Sequence, residues 1–521
     1  MKPLASTETF VANYQRALAD GQLQQALAKA TAKFTAARAQ AVYKLGADDW
    51  EAMRAQARAV KEHTITHLDY YLEQFASNVE RLGGRVFWAE DAEAANRYIV
   101  GLARERGVQL AVKSKSMMTE EIELNRALEA AGVEAVETDL GEYIVQLAGE
   151  RPSHITAPAI HKTRREIADL FTDKLRVECT NEITDMTALA RRVLRAKFAA
   201  AEMGVTGANF AVAETGTLVL VENEGNIRLT TSLPRVHVAL LGIEKLVPRL
   251  EDLDVFLKLL PRSASGQQIT SYLSFLSGAK QAASEEGPEE LHVVLLDNGR
   301  SRMLADPHLR ESLYCIRCGA CLNTCPVYQK IGGHAYGWIY PGPIGAVLTP
   351  QLLGRQRAAD LPFASSLCGA CRDACPLKIN IPDMLLHLRH EVKEPAPPAT
   401  PPTPARPGEP VSSPSGGPGR REARPHGLAV GLKRRLARYA EHAAFRLWAA
   451  AMMNMRRYRF AGRLPRWALR VPGLKGLRRS RLLPLGRWTD ARDLPPFAGQ
   501  TFRERWPEIS KAAQRESEQR G

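Results

Sequence analysis

Residues 315–326 read CIRCGACLNTCP, which is the pattern C-x2-C-x2-C-x3-C-P. Three cysteines at intervals of three allow one tight loop to bind three corners of an iron–sulfur cube, and the turn at the proline carries the fourth cysteine to a second cube. Residues 365–376 read SSLCGACRDACP and follow the same pattern, except that Ser365 occupies the first position. Because seven of the eight cysteines lie in these two runs, we predict an iron–sulfur module with two clusters.

The crossed ligation of ferredoxin-type modules divides the cysteines between two predicted [4Fe–4S] clusters. Cluster one is assigned Cys315, Cys318, Cys321 and Cys375, and cluster two is assigned Cys325, Cys368 and Cys371. Cluster two therefore lacks one thiolate. Its fourth ligand is the Ser365 oxygen, a solvent molecule, a partner residue or Cys179; otherwise the site holds a [3Fe–4S] cluster. Cys179 is a lone cysteine in a predicted helix, where a small buried hydrophobe is the commoner role.

A structural zinc site is the main alternative to iron, because zinc also uses C-x2-C pairs. Tetrahedral zinc needs two such pairs and not a triplet with C-x3-C-P twice, so the spacing favours iron. Residues 1–20 lack the apolar run of a secretory signal, and residues 443–455 are too short an apolar stretch to span a bilayer. We expect a cytoplasmic protein, soluble or peripheral at the inner face of the membrane, with metal-binding cysteines and no disulfides.

Positive charge is concentrated near the C-terminus. The chain of 521 residues has a net charge of +14, but residues 420–492 alone contain 20 basic and 3 acidic side chains. In this region Leu432, Leu436 and Leu447 share one face of a predicted arginine-rich helix. Such a helix suits an anionic membrane surface or an acidic partner subunit, and a plain solvated face is the alternative. Nucleic acid is not expected as a partner, since no recognised nucleic-acid motif accompanies the charge.

We predict five regions along the chain, each from a change in sequence pattern. They are a helical N-terminal lead-in at 1–84, an α/β domain at 85–304, the ferredoxin-like module of helices and loops at 305–392, a proline-rich linker at 393–427 and a basic helical region at 428–521. The lead-in has helical periodicity over 24–45 and 50–82. The linker is predicted to be extended or disordered, because residues 395–425 contain 11 prolines.

The α/β domain is predicted from short apolar runs that alternate with helical segments. These runs are residues 86–88, 109–112, 133–136, 236–241 and 292–296. Residues 210–222 are rich in β-branched side chains on both sides of Gly216, which predicts two strands around a turn.

A loop with two lysines follows the second predicted strand. Lys113 and Lys115 precede Thr119, which is placed to cap the next helix. Loops that leave the carboxyl end of a strand and start a helix are the usual ligand sites of α/β sheets, and here lysines and free helical N–H groups would suit an anion. A plain capping box with two solvated lysines explains the residues at least as well.

Together these stretches resemble the lactate utilization protein B family, iron–sulfur proteins whose N-terminal half is a LUD domain. The resemblance is carried by residues 114–125, 213–228, 315–326, 332–350, 365–376 and 488–494. It implies a LUD domain with the NagB/RpiA/CoA-transferase type of α/β fold and four-iron clusters on the seven cysteines. It also implies an electron-transfer subunit that works with two companion proteins to oxidise L-lactate to pyruvate. The proline-rich linker departs from the family pattern as an insertion.

Three functions compete at this point. In the first, the chain relays electrons from a lactate-oxidising partner to an acceptor such as the quinone pool, and it carries no catalytic residue, because neither a flavin motif nor a hydride acceptor is found in the sequence. In the second, the LUD domain itself binds and oxidises a hydroxy acid through Lys113 and Lys115, with the clusters as the electron exit. In the third, a structural iron–sulfur protein binds nucleic acid through its basic tail.

Overall fold

The computed structural model describes residues 7–282, 285–394, 439, 442–468 and 500–520. The described residues up to 394 form one compact unit, and those from 439 onward belong to a second. The predicted linker lies, from residue 395 on, outside the described residues. So do Leu432 and Leu436 of the predicted basic helix, and residues 488–494 of the family resemblance.

Four helices precede the first strand. They are Thr7–Ala19, Gly21–Leu45, Ala47–Thr66 and Leu68–Arg81. The second begins after Asp20, whose carboxylate accepts a hydrogen bond from the backbone N–H of Leu23 at 2.9 Å. The predicted helical stretch 50–82 is divided at His67, where the backbone leaves the helical region with φ −116° and ψ 39°.

Ten strands occur in the part of the chain that the structure describes. They are β1 Arg85–Ala89, β2 Leu110–Lys113, β3 Glu134–Glu137, β4 Met203–Thr206, β5 Phe210–Val212, β6 Thr217–Glu222, β7 Val236–Gly242, β8 Leu246–Val247, β9 Tyr272–Leu276 and β10 Glu290–Leu296. Six of them form a sheet of order β1-β10-β7-β4-β2-β3, in which every pairing is parallel. Strand β7 is buried along its whole length, as expected for a parallel sheet covered on both faces.

A second, four-stranded sheet has the order β8-β5-β6-β9. Strands β5 and β6 are antiparallel and are joined through Gly216, which has a φ of +69°. This agrees with the two strands predicted over residues 210–222. The six-stranded parallel sheet, the four-stranded sheet and the helices that pack against them form the predicted α/β architecture.

The other helices of the first unit belong to the α/β part or to the part that contains the two cysteine runs. Those of the α/β part are Ala92–Glu105, Met117–Glu121, Leu124–Ala130, Leu140–Leu147, Arg164–Leu175, Ile183–Ala200, Asn226–Ser232, Leu253–Ala264 and Arg300–Ala305. Those of the cysteine-bearing part are Ala320–Thr324, Tyr328–Ile331, Gly342–Leu353, Ala370–Ala374 and Ile381–Lys393. Short 3-10 helices span Ile243–Lys245, Arg310–Tyr314, His334–Tyr336 and Leu361–Phe363.

The second unit contains the helices Met455–Ala468 and Phe502–Arg520. Leu447, from the predicted apolar face, lies in a helical stretch of this unit and is exposed. Among the described residues of the whole chain, every helix is too short or too polar to cross a membrane.

The N-terminal helices join the α/β part to the cysteine-bearing part. A single hydrophobic core includes Leu27 of the second helix, Phe256 of the α/β part and Cys318. Arg54 donates hydrogen bonds to the carbonyl oxygen of Cys375 at 3.0 and 2.7 Å. Lys61 donates to the carbonyl oxygen of Leu246 at 3.1 Å. The three parts are therefore held together by a shared core and by cations of the lead-in.

The backbone at Gly333 lies very close to the backbone of Ser153. A Cβ atom at position 333 would lie 1.7 Å from the carbonyl oxygen of Ser153, and that oxygen also accepts a hydrogen bond from the Tyr328 hydroxyl at 2.8 Å. We expect Gly333→Ala to destabilise the fold by about 1–3 kcal/mol, because the backbone must move apart. The thermal unfolding midpoint, followed by circular dichroism, measures the effect.

The matched control is Gly101→Ala. Gly101 lies inside the helix Ala92–Glu105, and a Cβ atom there meets nothing within 4 Å. Since alanine favours helix over glycine, this change should raise stability by about 0.5–1 kcal/mol. Equal unfolding midpoints for the two variants would show that the contact at Ser153 relaxes without cost.

Candidate metal centre

Four cysteines line one cavity, which we call the cysteine cavity. They are Cys315, Cys318, Cys321 and Cys375, the set predicted for cluster one. Apolar side chains supply much of the remaining lining, including Ile155, Ile344 and Leu377. Cys318 and Cys321 are 7% and 8% exposed, so a group held here would be largely shielded from water.

The other three cysteines of the two runs lie near one another. The short helices Ala320–Thr324 and Ala370–Ala374, which follow the two loops, pack together. Burial raises the pKa of Cys371 to about 12, and the neighbouring Cys325 and Cys368 add to the effect. Cys325 and Cys371 are buried, whereas Cys368 is exposed. The second group of thiols therefore reaches the protein surface at Cys368.

Ser365 occupies the same local geometry as Cys315. The backbone N–H of Arg317 donates to the Cys315 sulfur at 3.4 Å, and the backbone N–H of Leu367 donates to the Ser365 hydroxyl oxygen at 3.1 Å. Arg317 and Leu367 both have left-handed backbones, with φ of 60° and 55°, which residues other than glycine rarely adopt. The second loop thus repeats the first, with an oxygen in the place of a sulfur.

The residues present fit iron–sulfur groups. The seven cysteines of the two runs are free thiols, and burial raises the pKa of Cys375 to about 11 and that of Cys318 further. Thiols this deeply buried ionise when a metal cation stabilises the thiolate. Grouped free thiols, a water-shielded cavity and backbone N–H donors to the ligand positions are the features that such groups require.

Basic residues of the N-terminal helices lie near the cysteine loops. Arg38 donates to the carbonyl oxygen of Ala374 at 3.0 Å, and Arg54 binds the carbonyl of Cys375 as described. Burial lowers the pKa of Lys61 to about 7 in spite of nearby carboxylate and thiol groups, among them Cys315. Sequence analysis missed these residues, because an amphipathic helix gives no indication of what its buried arginines face. Positive charge at this place would stabilise an anionic cluster.

A buried ion-pair network connects the parallel sheet with the first cysteine loop. Arg300 donates to both carboxylate oxygens of Glu121 at 2.9 and 2.8 Å and to Glu244 at 2.7 Å. Arg317 donates to the other oxygen of Glu244 at 3.4 Å, and its guanidinium carbon lies 4.9 Å from the centre of the Tyr340 ring. The Tyr340 hydroxyl donates to Glu121 at 2.7 Å. Burial opposes ionisation of Glu244, but the two arginines outweigh it and lower its pKa to about 2.

The three residues of the predicted anion site are separated by the structure. Lys113 is fully buried, and its ammonium donates to Glu137 at 2.5 Å. Thr119 does not cap the helix as predicted; Ser116 is the N-cap, and the Thr119 hydroxyl donates to the Ser116 carbonyl at 2.9 Å. Lys115 lines a second cavity, described below. Only Lys115 of the three therefore faces a space that can hold a ligand.

Cys179 lies in the segment between the helices Arg164–Leu175 and Ile183–Ala200, and its predicted helical position is wrong. Its backbone N–H donates to the Thr172 hydroxyl at 3.2 Å, which holds the segment outside the helix. The side chain packs against a small hydrophobic cluster around Phe171, whereas Cys318 belongs to the main core.

Three family models match successive parts of the chain. The LUD domain model matches residues 72–296, the 4Fe-4S dicluster domain model matches 311–379, and the model for the C-terminal part of lactate utilisation protein B matches 420–511. The first two regions contain the parallel sheet and the two cysteine runs, respectively.

Curated relatives are similar over most of the chain. Lactate utilization protein B of Shouchella clausii is 47% identical over 390 residues, which covers 75% of this chain and 82% of that protein. The protein of the same name from Oceanobacillus iheyensis is 40% identical over 489 residues, or 94% of each chain. Among solved structures, a DUF162 family protein from Deinococcus radiodurans is 14% identical, with a TM-score of 0.25, and covers 44% of this chain and 98% of that one.

Proposed function

Because the chain belongs to the lactate utilization protein B family, we propose that it is the iron–sulfur electron-transfer subunit of a complex that oxidises L-lactate to pyruvate. Membership in the family and the iron–sulfur domain give it a role in lactate utilization and electron transfer. The observation that carries the relay role is the arrangement of the thiols: four surround an interior cavity, and the second group reaches the surface at Cys368.

Two [4Fe–4S] clusters complete the proposal. Cys315, Cys318, Cys321 and Cys375 hold cluster one, and Cys325, Cys368, Cys371 and Ser365 hold cluster two. The matching hydrogen bonds to Cys315 and Ser365 support the serine oxygen as the fourth ligand. The clusters supply one-electron transfer, while the residues of the chain bind them, exclude water from cluster one and expose cluster two to a partner.

The partners in this proposal are two companion lactate-utilization proteins, with a quinone or another acceptor at the membrane surface. The protein would work in the cytoplasm or at the inner face of the membrane.

The proposed domains are the LUD domain at 85–304 and the iron–sulfur module at 305–392. The six-stranded parallel sheet supports a NagB/RpiA/CoA-transferase type of fold for the LUD domain. A hydroxy acid bound and oxidised by the LUD domain itself is the second candidate, because Lys115 faces a cavity.

Electron paramagnetic resonance of anaerobically purified protein, with iron counted in parallel, tests the proposal. We expect about eight irons per chain and two interacting four-iron signals after reduction. About seven irons, with an oxidised three-iron signal, would contradict Ser365 as a ligand. Clusters that no low-potential reductant reduces reversibly would overturn the relay function itself.

A pair of variants tests whether Ser365 is the fourth ligand of cluster two. Ser365→Cys supplies the missing thiolate and should change the signal of cluster two alone, because sulfur replaces oxygen on one iron. Ser77→Cys is the control, since Ser77 is an exposed residue of the helix Leu68–Arg81. Identical spectra for both variants and the original protein would place the fourth ligand elsewhere.

A further inference from the structure

A cavity of about 330 Å³ lies between the α/β part and the first cysteine loop. We call it the interface cavity. Apolar side chains line part of it, among them Leu220, Leu260 and Pro261, and three cations line another part. The cations are Lys115, Lys245 and Arg317. A space of this size and mixed character is typical of a site for a small metabolite.

The interface cavity shares a wall with the cysteine cavity. Ile155, Ile316 and Arg317 line both of them. Arg317 lies between two of the cysteines, and its backbone N–H donates to the sulfur of Cys315. A ligand in the interface cavity would therefore be separated from the four thiols by no more than these side chains.

Within the part of the chain that the structure describes, each of the three cations keeps at least one N–H donor without an acceptor, although Arg317 also donates to Glu244 through its other terminal nitrogen. The Lys115 ammonium is buried without a hydrogen bond, and its ion-pair partner Glu142 is 3.8 Å away. One terminal nitrogen of Arg317 is likewise buried without a partner. Lys245 is 8% exposed, and none of the hydrogen bonds among the described residues involves its ammonium. Buried donors of this kind carry a large desolvation cost unless an acceptor is supplied.

Three carboxylates line the cavity, and none of them accepts a hydrogen bond from the three cations. Asp139 accepts from the backbone N–H of Glu142 at 3.1 Å. Glu222 accepts from the N–H of Ile227 at 2.8 Å and of Arg228 at 3.2 Å. Glu224 accepts from Leu140 at 3.2 Å. Burial and the neighbouring Asp139 raise the pKa of Glu224 to about 7, which reduces the negative charge facing the cavity at neutral pH.

We propose that the interface cavity binds a small organic carboxylate. Its carboxylate group would accept hydrogen bonds from Arg317, Lys245 and Lys115, and its carbon skeleton would lie along the apolar wall. Arginine suits this role because its planar fork binds a carboxylate through two hydrogen bonds. The proposal concerns the same cavity as the second candidate function but requires only carboxylate binding there, and the statement that the ligand adjoins cluster one rests on the proposed function.

Calorimetric titration of the full-length, cluster-loaded protein tests the proposal. The probes are pyruvate, L-lactate and 2-oxohexanoate, with inorganic phosphate and the neutral lactamide for comparison. We expect at least one carboxylate to bind and lactamide not to bind. Lys245→Gln should weaken that binding roughly ten- to a hundredfold, the loss of one hydrogen bond to a charged group.

Two further variants make the result specific. Lys115→Gln should weaken carboxylate binding as well. This variant provides the test if Lys245→Gln loses its clusters or does not fold. Lys197→Gln should bind like the original protein, because Lys197 pairs with Glu134 at 2.6 Å and does not line the cavity. Addition of the carboxylate should also alter the resonance signal of reduced cluster one, and this change should weaken in Lys245→Gln.

Three outcomes overturn the proposal: no carboxylate binds, phosphate alone binds, or both lysine variants bind as tightly as the original protein. The relay function is tested separately, by reductive titration of the clusters without any carboxylate. Reversibly reducible clusters without carboxylate binding would contradict this proposal only. Carboxylate binding beside clusters that cannot be reduced would contradict only the relay.

Discussion

Cys318→Ser is expected to abolish the resonance signal of cluster one and to remove about half of the bound iron. Cys318 is 7% exposed and lines the cysteine cavity with three other thiols. A serine oxygen at this buried position must lose a proton against a far higher pKa than that of a thiol, and no carboxylate or imidazole of the described residues lines the cavity to take it. Ser365 differs in being partly exposed to water. Iron analysis and resonance spectra of anaerobically purified protein measure the loss.

Cys179→Ser is the matched control, because Cys179 is the cysteine outside the two runs. It packs near Phe171 in a separate hydrophobic cluster, so both cluster signals should be retained. Equal iron loss in the two variants would contradict the ligand assignment. Loss of the second signal alone in Cys179→Ser would make Cys179 the fourth ligand of cluster two in place of Ser365.

Arg300→Met is expected to destabilise the compact unit by about 3–5 kcal/mol, the usual effect of leaving a buried charge without its partner. Arg300 is 1% exposed and binds both Glu121 and Glu244. Methionine fills a similar volume, but it leaves the Glu121 carboxylate with only the neutral donors Tyr340 and Asn298 and takes the nearer arginine from Glu244. Urea unfolding followed by circular dichroism measures the change.

Arg97→Met provides the comparison for this prediction. Arg97 pairs with Glu93 one helical turn away, and their side chains are 65% and 78% exposed. A surface pair of this kind contributes no more than about 1 kcal/mol. If Arg300→Met unfolds at the same urea concentration as Arg97→Met, water or a rearranged side chain compensates the buried carboxylates, and the network does not hold the cysteine loop to the sheet.

The strands that sequence analysis found lie in short apolar or β-branched runs. Apolar runs predicted β1, β2, β3, β7 and β10, and β-branched residues predicted the two strands around Gly216. Strands β4, β8 and β9 were missed for separate reasons: β4 contains Gly204, β8 has two residues, and β9 has one buried residue, the polar Ser274. Each depends on its neighbours in the sheet and carries little local signal.

In the candidate site, too, the features that are local in sequence were predicted and those that join distant segments were not. Cysteine spacing indicated the two groups of thiols, because the loop that binds a cluster is local in sequence. The burial of Lys113 in an ion pair could not be predicted from the sequence. Its partner Glu137 lies opposite it on the neighbouring strand, and neither segment alone encodes which strands are neighbours. Lys245 and Arg317 also come from distant segments and meet only across the interface cavity.

The contact between Arg54 and Cys375 spans 321 residues of sequence, which imposes an order on biosynthesis. At the ribosome, the N-terminal helices emerge first, and roughly 15 to 65 seconds of elongation pass before Cys375 follows, given 321 residues at ~5–20 residues per second. During that interval the surface of the lead-in that packs against the cysteine loops has no partner and must be shielded from aggregation. Iron loading at Cys375 and closure of Arg54 on it must therefore wait until this late segment has been synthesised.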